Sequence, residues 1–402
     1  MTAVDLPAVP RVLIAEADPW SRDLLKQVLL NVRCDARLDV CADGRRAAEL
    51  LREKPYDLII ADWELPGVDG LGLLRMVRQQ RRTPLLPFIL LSSRNDSASV
   101  REALPLAPTA YLTKPLNMEG LTQRLQDLLL NEGEMIYCEV PALAAGMTLP
   151  VFLERRREAS DGAPLRVDVK AAVQHSLEPQ GLNLKHLEER VRVDPQITAV
   201  LIAAANSAGR HGSPVQTLPM ALHKLAAGQS MNLILGLALK HNVMLSDPAL
   251  VDYAERYWHL SQRTAEYARS LARMFELDHE RCYSAGILHR LGDLALLRCL
   301  QDWLQGGGEL DDEAIGESLY TFGAAYGSAL RTRWRLPLEL RQLIAAIYSL
   351  EGGVYSREAL VMNLAAQLAR LTEHEGVEEL ARSKTARLLK VGLPELVRMR
   401  KI

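Results

Sequence analysis

A carboxylate, a hydroxyl and an ammonium each stand directly after an apolar run. Asp62 closes the run 57–62, Ser92 follows Phe88-Ile89-Leu90-Leu91, and Lys114 follows Tyr111-Leu112-Thr113. Brought to one place, three such groups can accept a phosphoryl group. The carboxylate attacks phosphorus, the hydroxyl hydrogen-bonds a phosphoryl oxygen, and the lysine neutralises the added charge. Taken singly, Asp62 or Lys114 reads equally well as a polar stop at a strand end.

Such groups meet only if the runs before them lie side by side and point the same way. The runs at 12–15, 38–41, 58–61, 88–91 and 110–112 are apolar, several at every position, as in strands buried on both faces. Between them lie helical patterns at 20–30, 45–52, 71–79, 98–104 and 118–129, the first opened by Asp18-Pro19 and the second by Asp43. Residues 10–130 therefore predict an α/β doubly wound, five-stranded parallel sheet with its site at the carboxyl ends of the strands.

The 402 residues suffice for two or three domains, and 48% hydrophobic content is enough for a core in each. Forty-eight Lys and Arg against 50 Asp and Glu leave a net charge of -2, so neither nucleic acid nor an anionic membrane is an expected partner. No window approaches 18 uninterrupted apolar residues, and no basic segment precedes an apolar one at the N-terminus; a cytoplasmic protein is expected. The cysteines (Cys34, Cys41, Cys138, Cys282, Cys299) are odd in number and form no C-x-x-C pair. That argues against a disulfide framework or a zinc ribbon.

Periodicity lapses over 131–150, where Gly133, Pro141, Gly146 and Pro150 mark a linker. Helical patterns then dominate at 182–191, 196–206, 231–241, 250–275, 280–300 and 338–350, predicting an all-α domain over 151–352 and a helical C-terminal extension over 353–402. The Gly306-Gly307-Gly308 run reads as a loop, because no strand precedes it and no Gly-Lys-Ser/Thr follows. Arg155-Arg156-Arg157, flanked by Glu154 and Glu158, reads as a solvated helix turn.

The segment Asp62-Trp63-Glu64-Leu65-Pro66-Gly67-Val68-Asp69-Gly70, with Ser92-Ser93 and Tyr111-Leu112-Thr113-Lys114-Pro115, resembles the receiver domain of two-component response regulators. The resemblance implies that Asp62 is phosphorylated by a histidine kinase or phosphotransfer protein, that Ser92 and Lys114 sense the phosphate, and that Tyr111 is an aromatic switch. It also implies a Mg²⁺ site from Glu16, Asp62 and the backbone carbonyl of Glu64. One departure stands out: the family holds Mg²⁺ with adjacent acids after the first strand, whereas here Glu16 is followed by Ala17, and Asp18 suits the N-cap of a helix opened by Pro19. With one ligand fewer, Mg²⁺-dependent phosphorylation and a docking role without phosphorylation both stay open.

All nine histidines lie beyond residue 130, with no pair at i, i+3 or i, i+4 and no H-E-x-x-H. Val193-Asp194-Pro195-Gln196 with 203–208, 215–222, 257–261, Gly286-Ile287-Leu288-His289-Arg290-Leu291-Gly292 and 334–337 together resemble the HDOD domain, the HD-related output domain of bacterial signalling proteins. Hydrolase relatives bind metal through a His-Asp pair and further histidines. Here the pair reads His289-Arg290, Leu260 stands where a histidine is expected with His259 one place out of register, Gly323 and Ala324 replace another, and Ser349-Leu350-Glu351 lacks a histidine pair. No output-domain metal is expected, since a guanidinium in a metal shell repels cations.

The resulting expectation is a bacterial response regulator whose receiver controls a non-catalytic HDOD domain acting by protein contact. The resemblance implies a downstream signalling partner, with enzymes of cyclic-di-GMP turnover among the kinds it suggests, and it admits a homodimer. The rival is a metal-dependent HD-type phosphohydrolase of nucleotides or cyclic dinucleotides. A small-molecule sensor is a third reading. Asn206, at the end of an apolar helix, reads either as a cap or as a partner contact.

Overall fold

The computed structural model describes residues 9–80, 84–94, 96–114, 116–131, 142–160, 162–178, 181–207, 212–239, 244–350, 355–372 and 376–400. Pro115, Cys138, His211, His241, His374 and half of the expected linker (132–141) lie outside them. The chain divides into two compact units, Met1–Glu139 with Met231–Lys240, and Val140–Ser230 with His241–Ile402.

The first unit alternates strand and helix: β1 (Arg11–Ala15), α1 (Pro19–Val32), β2 (Arg37–Cys41), α2 (Gly44–Glu53), β3 (Leu58–Asp62), α3 (Gly70–Gln79), β4 (Phe88–Ser92), α4 (Ser97–Ala103), β5 (Ala110–Thr113) and α5 (Met118–Leu129). All pairings are parallel, in the order β2-β1-β3-β4-β5. The uniformly apolar strands are explained by the two cores they serve. Leu13, Ala15, Ile59, Ala61, Phe88 and Leu90 face one side and join α2 and α3, while Val12, Ile14, Leu58, Ile60, Ile89 and Leu91 face the other and join α1 and α5. Full burial of each Leu or Ile stabilises the fold by about 1.5–3 kcal/mol.

Each helix starts at an Asx cap. Asp18, Asp43, Asp69, Asp96 and Asn117 accept from the backbone N–H of Ser21, Arg46, Gly72, Ser99 and Gly120. These caps end the strands' exit loops within a few residues, so the polar groups after β1, β3, β4 and β5 stay on one rim. Gly70 opens α3 hard against β3: a Cβ there would sit 2.2 Å from the Asp62 carbonyl oxygen.

The second unit is helical: α6 (Leu149–Ala159), α7 (Val169–His175), a hairpin of β6 (Leu177–Glu178) and β7 (Gly181–Leu182), α8 (Leu184–Val191), α9 (Pro195–Ser207), α10 (Leu218–Leu237), α11 (Pro248–Met274), α12 (His279–Leu288), α13 (Leu291–Gln305), α14 (Asp312–Arg333), α15 (Leu338–Tyr348), α16 (Arg357–Arg370), α17 (Glu378–Ala381), α18 (Lys384–Leu389) and α19 (Leu393–Met399). The end of α10 groups with the first unit, and the helix is interrupted at Ala226 (φ 59°, ψ 174°). Helix α9 is buried at every position from Pro195 to Ala205. Helices α13 and α14 cross closely at Gly292, where a Cβ would meet Gly327 nitrogen at 2.3 Å.

The second unit is helical as expected, with the addition of a two-stranded antiparallel hairpin too short for any periodicity to announce. Two expectations are corrected. The pattern at 280–300 is two helices, broken at His289-Arg290, because apolar spacing continues through the break. Cys34 is disulfide-bonded, while Cys41, Cys282 and Cys299 are buried free thiols. Counting cysteines cannot reveal which distant pair the fold brings within bonding distance. No helix among the described residues is long and apolar enough to cross a membrane.

Candidate functional site

Parallel pairing places Ala15, Asp62, Ser92 and Thr113 at the carboxyl rim of the sheet, and Glu16 and Lys114 follow directly. Lys114 Nζ donates to Glu16 Oε2 at 2.7 Å and to Asp62 Oδ2 at 2.8 Å. Both carboxylates are buried, Glu16 at 1% and Asp62 at 5% exposure. The remaining carboxylate oxygens are engaged differently. Glu16 Oε1 accepts from Asp18 N–H at 2.9 Å, whereas among the described residues Asp62 Oδ1 has only a long contact from Glu64 N–H at 3.4 Å.

Burial lifts the Glu16 carboxyl above its ordinary value of 4.5; Lys114 pulls it back and the Asp62 charge adds to the rise. Burial works against the Lys114 ammonium, yet the two carboxylates outweigh it and raise the lysine above 10.5. For a simple ion pair these directions would conflict. They agree here because one ammonium serves two carboxylates, so a negative charge is left over that holds the lysine protonated and burdens Glu16.

Ser92 is fully buried, and its Oγ accepts from Arg94 N–H at 3.0 Å. Tyr111 OH donates to the carbonyl of the same Arg94 at 2.8 Å. The Tyr111 ring meets Trp63 edge-on at 6.2 Å, and the Arg94 guanidinium lies 5.3 Å from the Trp63 ring centre and 3.6 Å from Glu64 Oε1. Asp18 caps α1, as its Asp-Pro setting implies, its Oδ2 accepting from Ser21 N–H at 2.7 Å. Arg22 Nη1 donates to the carbonyls of Glu16 at 2.6 Å and Ala17 at 3.1 Å, a cation over the loop that no motif in the sequence signals. Arg22, Arg94 and Trp63 are thus the neighbours that sequence reasoning missed.

As a holder of Mg²⁺, this rim offers two converging buried carboxylates, Glu16 and Asp62, and a methyl group at Ala17 where a third could stand. One or two carboxylates completed by phosphate oxygens and water are within what Mg²⁺ accepts, so the residues fit the ion with one ligand fewer than the family pattern.

In the second unit, His289 is 2% exposed, its Nδ1 lies 2.7 Å from the Gly286 carbonyl, and its own carbonyl accepts from Tyr348 OH at 2.6 Å. Burial chiefly, with the charges of Arg290 and Arg370, pushes its pKa down to about 3, so the ring stays neutral. Arg290 Nη1 pairs with Asp293 Oδ2 at 3.3 Å. Asp293 also fills the space beside Gly323, where a Cβ would come within 2.4 Å of Oδ1. His259 is exposed on α11. Asn206 does more than cap: Nδ2 donates to Ile202 and Val215 carbonyls and Oδ1 accepts from Val215 N–H, clamping the loop that follows α9. Arg157 pairs with Glu154 within α6 as a solvated turn should, while Arg156 reaches Asp302.

Residues 12–126 match the family model of the response regulator receiver domain, and residues 163–350 match that of the HDOD domain. The probable chemotaxis protein CheY of Rhizobium etli is 30% identical over 116 residues, 29% of this chain and 89% of that protein. The transcriptional regulatory protein AfsQ1 of Streptomyces coelicolor is 36% identical over 121 residues, 30% of this chain, which spans about half (52%) of that relative's length. Among solved structures, the signal receiver domain of an HD domain-containing protein from Pseudomonas fluorescens Pf-5 is 28% identical, covering 30% of this chain and 95% of that one, with a TM-score of 0.28. The chain belongs to the response regulators of two-component systems, with a receiver domain joined to an HDOD domain.

Proposed function

We propose that Asp62 is the phosphoacceptor and that its state governs a helical output that works through protein contact. The observation that carries this reading is the Lys114 ammonium held between Glu16 and Asp62. Asp62 Oδ2 is fixed on Lys114, and the loosely held Oδ1 is free to attack. A phosphohistidine of the upstream kinase or phosphotransfer protein is the natural donor. Oδ1 forms a bond to phosphorus as the P–N bond breaks; the imidazole keeps that electron pair and takes a proton from solvent, and an acyl phosphate remains on Asp62. Lys114 then neutralises the phosphoryl charge, and the Ser92 hydroxyl, released from Arg94 N–H, donates to a phosphoryl oxygen. Glu16, Asp62 and the Glu64 carbonyl would hold Mg²⁺, which supplies further neutralisation of phosphoryl oxygens. Tyr111 shares Arg94 with Ser92 and serves as the readout side chain.

The non-catalytic reading of the output domain is supported by what surrounds His289: Nδ1 is committed to a backbone carbonyl and the next residue contributes a cation. The downstream partner is therefore a signalling protein recognised by the surface of the helical unit. The test is labelling with acetyl phosphate in Mg²⁺. Wild-type protein should label and Asp62→Asn should not; an equally labelled Asp62→Asn protein would overturn the assignment.

A further inference from the structure

Two faces of the helical unit are opposite in charge, and each carries apolar side chains out into water. In the C-terminal extension, α18 and α19 already seat one apolar face, with Ala386, Leu389, Leu396 and Met399 buried. A second apolar set is left uncovered. Leu388, Leu393 and Val397 are between 41% and 51% exposed, and Leu393 and Val397, four residues apart, lie on one side of α19. Every exposed side chain from 382 to 398 is apolar or basic, the cations being Arg382, Lys384, Arg387, Lys390 and Arg398. Glu395, the acid in this stretch, accepts from Gly392 N–H at 3.0 Å and lies 3.7 Å from Arg398, so it offsets one of those charges. Arg382, Arg387 and Lys390 make no side-chain hydrogen bond or ion pair among the described residues.

Helix α14 presents the opposite sign. Ile315, Leu319 and Tyr326 are its buried side, while Glu313, Glu317 and Tyr320, spaced i, i+4 and i+7, run down the other. Tyr320 is 93% exposed, so nearly its whole ring stands in water. From 309 to 320 every other exposed side chain is acidic: Glu309, Asp311, Asp312, Glu313 and Glu317. Asp311 caps α14 through Ala314 N–H, whereas the side chains of Asp312, Glu313 and Glu317 make no hydrogen bond or ion pair among the described residues. No ion pair among the described residues joins this face to the basic one of the same chain.

Exposed ion pairs are worth little singly, so a stable contact needs apolar surface at its centre and complementary charge around it. The two faces supply both to each other: leucines and a valine ringed by cations on one, a tyrosine ringed by carboxylates on the other, with Tyr and Arg the residue types that carry most contact energy. A nucleic-acid backbone would answer the cations and leave the leucines uncovered. An anionic lipid surface would cover both and leave the acidic face with Tyr320 without a role. We infer that the apolar face of α18 and α19 docks on the acidic face of α14 in a second copy of this chain. A two-fold dimer makes this contact twice and closes on itself. The inference does not depend on the phosphoacceptor role of Asp62.

Sedimentation velocity of the full-length protein, at low and at high ionic strength, reads the self-association. Wild-type protein is expected to associate, more weakly as salt rises. Two charge-reversed variants, Lys384→Glu with Arg387→Glu and Glu313→Lys with Glu317→Lys, are each expected to associate at least about tenfold more weakly. An equimolar mixture of the two should recover the wild-type association, because each reversed face then meets its opposite. That recovery also shows that both variants are folded, and circular dichroism checks each alone. Wild-type protein that stays monomeric at every ionic strength would mean that the basic face answers some other acidic surface, and it overturns the inference. So does association that both variants retain in full, as a dimer formed through the receiver would, or a mixture of folded variants that associates no better than its components.

Discussion

Replacing Lys114 by methionine removes the one cation shared by two buried carboxylates. The contacts are 2.7 and 2.8 Å, each roughly 6 kcal/mol of Coulomb attraction at an effective dielectric of about 20, before desolvation is subtracted. Loss of one partner of a buried pair costs about 3–5 kcal/mol net. The Lys114 side chain is 23% exposed, which moves the expected loss to the lower end, about 3 kcal/mol. Most of that loss is repulsion between Glu16 and Asp62, so Lys114→Met introduced on a Glu16→Gln background should cost at least about 1 kcal/mol less. The pH dependence follows with a definite sign. Glu16 already has a raised native pKa, and without Lys114 it rises further, so the variant's native state takes up a proton that the unfolded chain binds only near 4.5. The penalty is therefore largest above the native pKa of Glu16 and shrinks as pH falls toward 4.5. Urea denaturation followed through the buried Trp63, at about pH 7.5 and about pH 5, measures both effects. A loss under about 1 kcal/mol, or one equal at the two pH values, would refute the shared-cation account.

Ala17→Asp places a carboxylate next to Glu16 and should raise the acetyl phosphate labelling rate at sub-saturating Mg²⁺ by about tenfold, corresponding to about 1.4 kcal/mol of added affinity. Unchanged Mg²⁺ dependence would show that the missing ligand is already supplied by another group. Ala226→Gly removes the Cβ from a residue at φ 59°, ψ 174°, a region costly for any side chain, and should stabilise the helical unit by about 1 kcal/mol. A lower urea midpoint for this variant would mean that the backbone there is unstrained.

Much of the receiver was legible in the sequence because its signals are local. Strands apolar at every position have to be buried twice, and an Asp or Asn at a fixed offset has to cap the next helix, so α5 lies at 118–129 as its periodicity predicts and α1 opens at Pro19. Parallel pairing alone predicts that Asp62, Ser92 and Lys114 converge, whereas Glu16 enters only through the receiver resemblance. What stayed illegible depends on contacts between distant segments. Asp194 is fully buried and accepts from Arg166, Val167 and Ile197 N–H groups, and its helix-capping half is local while its grip on 166–167 is not. The Asp293 carboxylate is one of many acids until the fold sets it between Arg290 and Gly323. Arg22 reads as an ordinary surface residue of α1 until its guanidinium is seen to reach two loop carbonyls.

The two hydroxyls at the rim are moored to a single residue, Ser92 to the amide of Arg94 and Tyr111 to its carbonyl. Two side-chain rotors that would otherwise choose their positions separately are joined through the backbone of one residue, so their joint states are fewer than the product of their own. Arg94 is itself exposed, and water can take over either mooring at little cost in free energy. A pull on Ser92 from within the buried pocket is therefore felt at an exposed surface position through one residue's backbone, with no helix or core needing to move first.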